Sequence, residues 1–192
     1  MNETIKLGLV LLLVTAIAGG ILAGVNGITA PVIAEMERQN SFGAMLEIFT
    51  EADDFLPVDE VLLAEITSNN SFVIEVMEAK KAEETIGYAM KSKSGGYSGD
   101  LITQIGINLD GTMAGIKVLQ QTETPGLGSR IVDDPDFAAS FAGKNTASGL
   151  SAVEAPSADN EVMALSGATV STNGIMDGVN SAVEVFNNFL AK

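Results

Sequence analysis

An apolar segment near the N-terminus constrains the fold of this chain more than any other feature. Leu7 to Val25 contains apolar and small side chains with a single threonine, and no charged residue lies between Lys6 and Glu35. At a helical rise of about 1.5 Å per residue, this segment spans roughly 28 Å, close to the hydrocarbon thickness of a bilayer. Because lipid offers the backbone no hydrogen-bond partners, we predict a transmembrane helix, with residues 1–27 as a retained N-terminal anchor in the lipid bilayer.

Two other interpretations of this segment stay open. A cleaved signal peptide would fit Ala16-Ile17-Ala18, which resembles a cleavage site, although the apolar run continues to Val25. A buried helix of a soluble core is the other, although an all-apolar helix is an unusual start for a small domain. For a retained anchor, Lys6 and the α-amino group precede the span. The positive-inside rule then predicts a single-pass protein of the cytoplasmic membrane, with a cytoplasmic N-terminus and the C-terminal domain on the outer face.

The composition excludes several chemistries. The 192 residues contain no cysteine and no histidine, so thiolate nucleophiles, serine–histidine catalysis and the commonest metal ligands are missing. We predict no metal site and no catalytic residue, and any demanding chemistry must come from carboxylates, hydroxyls, a bound cofactor or another subunit. The net charge of −15 predicts that nucleic acid is not a partner, because its phosphates would be repelled.

Hydrophobic periodicity predicts an α+β fold, in which a mostly antiparallel sheet is flanked by helices. Thr29 is placed to cap a second helix that starts after Asn26-Gly27 and runs to about Phe49. We therefore assign residues 28–70 to a helical stalk and packing region, and residues 71–192 to the main domain.

The main domain begins with strand-like patterns. Apolar residues alternate from Ser71 to Leu119, and Asp110-Gly111 between two such runs predicts a β-hairpin. We expect a short helix at Phe137–Phe141 and a short strand at Glu161–Leu165. Apolar residues three or four apart from Ile175 to Leu190 predict the last helix.

Three glycine-rich loops interrupt this pattern, at Ser94–Gly99, Glu123–Arg130 and Leu165–Gly174. Glycine lets a backbone approach a ligand closely, although each loop taken alone is more simply explained as a turn. Arg130 would either pair with a carboxylate or hold a phosphate. The third loop lies at the expected start of the last helix, where free N–H groups and the helix dipole favour an anion. Helix capping alone would explain the hydroxyls of Ser171 and Thr172.

The residues of these loops resemble the family of covalent FMN-binding domains. Ser166-Gly167-Ala168-Thr169-Val170-Ser171 is similar to the flavinylation motif of that family, and Glu123-Thr124-Pro125-Gly126-Leu127-Gly128 is similar to its second signature. Gly96-Tyr97-Ser98-Gly99 fits a third and weaker one. Their order behind one N-terminal span resembles the members known as the G subunits of Rnf ion-translocating ferredoxin:NAD oxidoreductase complexes. The C subunit of the sodium-translocating NADH:quinone reductases is a close relative.

The resemblance implies an FMN joined covalently to Thr169 through a phosphoester, attached by a separate flavin transferase. It implies that residues 71–192 form an FMN-binding domain. It also implies an electron carrier among the membrane and redox subunits of an Rnf complex, with no turnover by the chain alone. The cofactor-binding residues expected are Thr169, Ser166, Gly167, Ala168, Val170, Ser171, Glu123, Thr124, Pro125, Gly126, Leu127, Gly128, Tyr97 and Arg130.

Two positions depart from the family pattern. The aspartate usual six residues before the modified threonine is Met163 here, so either the transferase recognises this motif less well or the nearby Glu161 substitutes for the aspartate. The histidine often found two residues before the second signature is Gln121. Two other functions stay open as alternatives: the C subunit of a sodium-translocating NADH:quinone reductase, and a membrane-anchored binding module without a cofactor.

Overall fold

The computed structural model describes residues 2–191, which form two compact units. The first unit ends at Asn40, and the second begins at Ser41. Helix α1 (Glu3–Ile48) makes up the first unit and contributes its last two turns to the second. Within the described residues, α1 is the one helix long and apolar enough to cross a membrane, and its apolar side chains in the first unit are exposed.

Helix α1 continues through the break that the sequence predicted at Asn26-Gly27, so the prediction of two separate helices is wrong. Thr29 does not cap a new helix, because its hydroxyl donates back to the Val25 carbonyl at 3.0 Å. Pro31 lies inside α1, where it removes one hydrogen bond of the ladder. A glycine inside a helix lowers its stability by about 1 kcal/mol, which is too little to end a helix that has strong helix formers on both sides.

The second unit is built on a five-stranded antiparallel sheet in the order β1-β2-β3-β4-β5. The strands are β1 (Asp54–Pro57), β2 (Val73–Lys81), β3 (Glu84–Gly95), β4 (Asp100–Asn108) and β5 (Met113–Gln120). The hairpin predicted from Asp110-Gly111 joins β4 to β5 and is confirmed. Strand β1 was not predicted, because four residues of which one is proline carry too short a pattern.

The remaining elements are short except for the last helix. They are α2 (Glu60–Asn69), α3 (Arg130–Asp133), α4 (Pro135–Ala139), β6 (Ser151–Val153), β7 (Glu161–Met163), α5 (Thr169–Val185) and a π-helical turn (Phe186–Leu190). Strands β6 and β7 pair in parallel as a separate two-stranded sheet. The short helix, the short strand and the long final helix expected from the sequence correspond to α4, β7 and α5. The α+β class is therefore confirmed.

Helices cover both faces of the five-stranded sheet. On one face, Met90 and Ile105 belong to the main core with Ile175 and Val179 of α5. On the other face, Ala89 packs in a second cluster with Met45, Phe49 and Phe55. The opposite faces follow from strand alternation, since neighbours such as Ala89 and Met90 point to opposite sides. The long helix α5 is thereby fixed against β3 and β4.

The turn between β2 and β3 stores backbone strain. Ala82 and Glu83 both have positive φ angles, 49° and 75°, a region that costs an L-residue roughly 1–2 kcal/mol. We expect Glu83→Gly to raise the free energy of unfolding by about 0.5–1 kcal/mol, because relief of this strain exceeds the entropy that glycine adds to the unfolded chain. Urea unfolding of the detergent-solubilised chain measures the change.

Glu84→Gly is the matched control, because Glu84 is the first residue of β3 and is exposed like Glu83. There glycine relieves no strain and should destabilise by roughly 0.5–1 kcal/mol. Equal effects at the two positions would contradict the strain assigned to Glu83.

Candidate functional site

The three glycine-rich loops meet at one end of the five-stranded sheet. The first joins β3 to β4, the second follows β5, and the third leads into α5. The carboxylate of Glu123 links all three, because it accepts the Ser98 N–H at 2.9 Å and the Ser171 hydroxyl at 2.5 Å. Glu123 itself is 5% exposed. Loops separated by 25 and 48 positions in the sequence are therefore held together by one buried side chain.

The third loop ends in an open helix N-terminus. Thr169 is the first residue of α5, and neither a side-chain cap nor an acidic first turn is found there in the described structure. The first bond of the ladder runs from the Thr172 N–H to the Ala168 carbonyl at 2.9 Å. The amides of Thr169, Val170 and Ser171 precede it and are free of the ladder, so this end of α5 suits an anion.

The hydroxyls of the third loop divide into two buried and two exposed. Ser171 donates to Glu123, and the Thr172 hydroxyl oxygen accepts the Leu165 N–H at 3.3 Å. Neither one caps α5, so the capping explanation of these residues is wrong. Ser166 and Thr169 are exposed. A reagent that reaches this loop therefore meets Ser166 and Thr169 before the other two hydroxyls.

A cleft of about 420 Å³ lies between the second and third loops. Its lining combines the two motifs and one residue of the first loop: Tyr97, Glu123, Thr124, Leu127, Gly128, Gly167, Ala168, Thr169, Val170 and Ser171. Tyr97, Leu127 and Val170 are more than half exposed there, which offers apolar surface to a flat ring. The cleft thus places apolar side chains beside a helix end that suits an anion.

Four residues expected at the site lie outside the cleft wall: Ser166, Pro125, Gly126 and Arg130. Arg130 pairs with the Asp134 carboxylate at 3.2 Å, which is the simpler of the two roles considered for it. Its guanidinium also donates to the Ser166 carbonyl at 3.2 Å and so holds the third loop. Gly126 adopts a φ of +76°, which fits a turn in the second loop that favours glycine.

The departures from the family pattern have local explanations. The Gln121 side-chain oxygen accepts the Glu123 N–H at 2.6 Å, a contact that the sequence did not predict. The Glu161 carboxylate accepts the N–H groups of Ser157 and Ala158, and these bonds lower the pKa of Glu161. Glu161 therefore stabilises its own loop, and these contacts give no support to its replacing the motif aspartate at Met163.

Residues 96–184 match the family described as the FMN-binding domain. The match includes both motifs, the residues that line the cleft and nearly all of α5.

The G subunit of the sodium-translocating ferredoxin:NAD(+) oxidoreductase complex of Acetobacterium woodii is 32% identical, over 95% of this chain and 91% of that protein. Its proton-translocating counterpart from Clostridium ljungdahlii is 30% identical over 90% and 86%. The G subunit of the ion-translocating oxidoreductase complex of Methanosarcina acetivorans is 28% identical over 95% and 94%. The chain belongs to the family of G subunits of ion-translocating ferredoxin:NAD oxidoreductase (Rnf) complexes.

Solved structures share the fold. The C subunit of the Na(+)-translocating NADH-quinone reductase from Parabacteroides distasonis aligns with a TM-score of 0.57 and 21% identity, over 73% of this chain and 79% of that one. NqrC of Shewanella oneidensis aligns with a TM-score of 0.51 and 23% identity, over 60% and 58%. At these identities the likeness concerns the fold of the domain.

Gly128 tests how tightly the site is packed. A Cβ on Gly128 would lie 2.7 Å from the Ser171 hydroxyl oxygen and would overlap the Glu123 carboxylate. We expect Gly128→Ala to destabilise the chain by about 1–3 kcal/mol, because neither buried group has room to retreat. The melting temperature in detergent measures the effect. Gly43→Ala is the control: a Cβ there has nothing within 4 Å, so its melting temperature should not fall.

Proposed function

We propose that this protein carries electrons through an FMN esterified to Thr169. The observation that carries the proposal is the position of Thr169. Its exposed side chain lines the cleft and opens helix α5, beside three amides that are free of the helix ladder. Ser166, the other exposed hydroxyl residue of the loop, does not line the cleft.

Different residues of this chain would hold the phosphate and the ring of the cofactor. The Thr169 hydroxyl oxygen would form the ester with the flavin's phosphate, and the first-turn amides would stabilise the charge that the diester keeps. Leu127, Val170 and Tyr97 would pack on the ring and limit its contact with water. FMN, when bound, supplies the electron-transfer chemistry, for which no side chain of this chain is suited.

A covalent hydroxyl linkage agrees with the composition. Cysteine and histidine, which can hold flavins at the ring, are missing from the sequence. A separate flavin transferase would attach the FMN, and the electrons would pass between other membrane and redox subunits of the complex. We propose no turnover by the chain alone.

The alternative role, as the C subunit of a quinone reductase, is supported only by similarity of fold. The relatives matched by sequence are G subunits of ion-translocating oxidoreductase complexes.

Thr169→Ala tests the linkage. We expect the full-length chain, co-expressed with a flavin transferase, to give a fluorescent band on a denaturing gel and an intact mass raised by one FMN minus water. Thr169→Ala should abolish both signals because Thr169 is the exposed hydroxyl residue of the cleft wall that lies at the start of α5, beside the amides that are free of the helix ladder. Ser166→Ala is the control and should keep them. Fluorescence that survives Thr169→Ala, or is lost in Ser166→Ala, would assign the bond to another hydroxyl.

The orientation of the chain is a further part of the proposal. Lys6 precedes the apolar span, whereas Arg38 beyond it is neutralised by Glu35 at 2.9 Å. We therefore place the N-terminus in the cytoplasm and residues 41–191 on the outer face.

The missing cysteines make the orientation easy to test, because a single introduced thiol is unique. We expect a membrane-impermeant maleimide to label Ser148→Cys on intact spheroplasts and to leave Asn2→Cys unlabelled until the membrane is permeabilised. Both positions are exposed. The reverse pattern would place the domain in the cytoplasm, and a chain that remains soluble after cell lysis would argue for cleavage of the apolar segment.

A further inference from the structure

Glu123 is the one acidic or basic residue that is buried among residues 2–191, with 5% of its surface exposed. A buried charge is costly unless it is paired or fully hydrogen-bonded. Within the described chain no cationic side chain lies within 4 Å of it. Closing the turn of the second loop would not by itself explain why the charge of Glu123 is buried.

Hydrogen-bond donors from two other loops hold this carboxylate. One oxygen accepts the Ser98 N–H at 2.9 Å, and the other accepts the Ser171 hydroxyl at 2.5 Å. The Glu123 N–H donates to the Gln121 side chain at 2.6 Å, which fixes the backbone at the same point. The side chain is therefore locked in place, with one oxygen directed to each neighbouring loop.

Two glycines make the room for this carboxylate. A Cβ on Gly96 would lie 2.5 Å from one carboxylate oxygen, and a Cβ on Gly128 would overlap the other. The glycines of the first and second loops thus allow those loops to close around Glu123. Close approach to a ligand is not required to explain them.

We infer that Glu123 is a positioning residue with an electrostatic role. It ties the first loop and the start of α5 together, and it fixes a negative charge in the wall of the cleft beside Thr169. The second role rests on the proposed function, since it concerns the flavin. Reduction adds electrons to the ring, so a nearby buried negative charge opposes it and lowers the potential. Because the dielectric constant is low in the interior, a buried charge changes the reduction potential more than a charge on the surface does.

The electrostatic role is tested by the midpoint potential of the flavinylated full-length chain in detergent. Glu123→Gln removes the charge, keeps a carbonyl oxygen that accepts the Ser98 N–H, and offers an amide N–H that can donate to the Ser171 hydroxyl oxygen in place of the bond Ser171 donates now. We therefore expect a more positive potential. Glu154→Gln is the matched control, because it makes the same change at an exposed carboxylate and should shift the potential less. Ser171→Ala keeps the charge and should give no positive shift. Equal potentials for Glu123→Gln and Glu154→Gln would overturn this role.

The positioning role is tested without flavin, in chain produced by a host that lacks a flavin transferase. Glu123→Ala should speed hydrogen exchange on the order of tenfold in residues 94–99 and 169–174, because a charge-assisted bond is lost at each loop. Glu123→Gln should change it much less. Unaltered exchange in Glu123→Ala would overturn this role. A colourless wild-type chain after co-expression with the transferase would instead refute the flavin linkage and leave this result standing.

Discussion

The close seating of helix α5 on the sheet is the constraint on which the rest of this structure depends. A Cβ on Gly174 would overlap the Gly95 carbonyl, and one on Gly178 would lie 2.5 Å from the Ser92 hydroxyl oxygen. Glycine at these two positions lets the helix lie directly on β3. The start of α5 is thereby fixed beside the loop that leaves the same strand, and the position of Thr169 follows from it.

The cleft uses this fixed helix end as one wall and the second loop as the other. The wall of the second loop has no long element of its own to support it, since α3 has four residues and α4 has five. It is held by side chains instead: Glu123 toward Ser171, and Arg130 toward the Ser166 carbonyl. A protein whose task is to keep a cofactor at a constant distance from its neighbours benefits from a site fixed on both sides.

Much of the fold and part of the site could be predicted from local pattern. The Asp110-Gly111 hairpin and helix α5 follow from turn chemistry and helical spacing, both of which are properties of neighbouring residues. The helix break at Asn26-Gly27 was predicted from the same kind of signal and does not occur. The cost of these two residues in a helix is small compared with the helical preference of the residues on both sides. The role of Glu123 could not be predicted, since its partners lie 25 and 48 positions away.

The sequence by itself determined the apolar span, the α+β class and the family, since each depends on composition, periodicity or motifs that adjacent residues carry. It also excluded thiol and imidazole chemistry, because the residues are missing. The tertiary structure decided which hydroxyls of the third loop are exposed and which are buried in hydrogen bonds. It also decided that glycines of the first two loops pack against the buried Glu123 carboxylate. Those outcomes depend on contacts between distant segments, and such contacts exist only once the sheet and α5 have packed together.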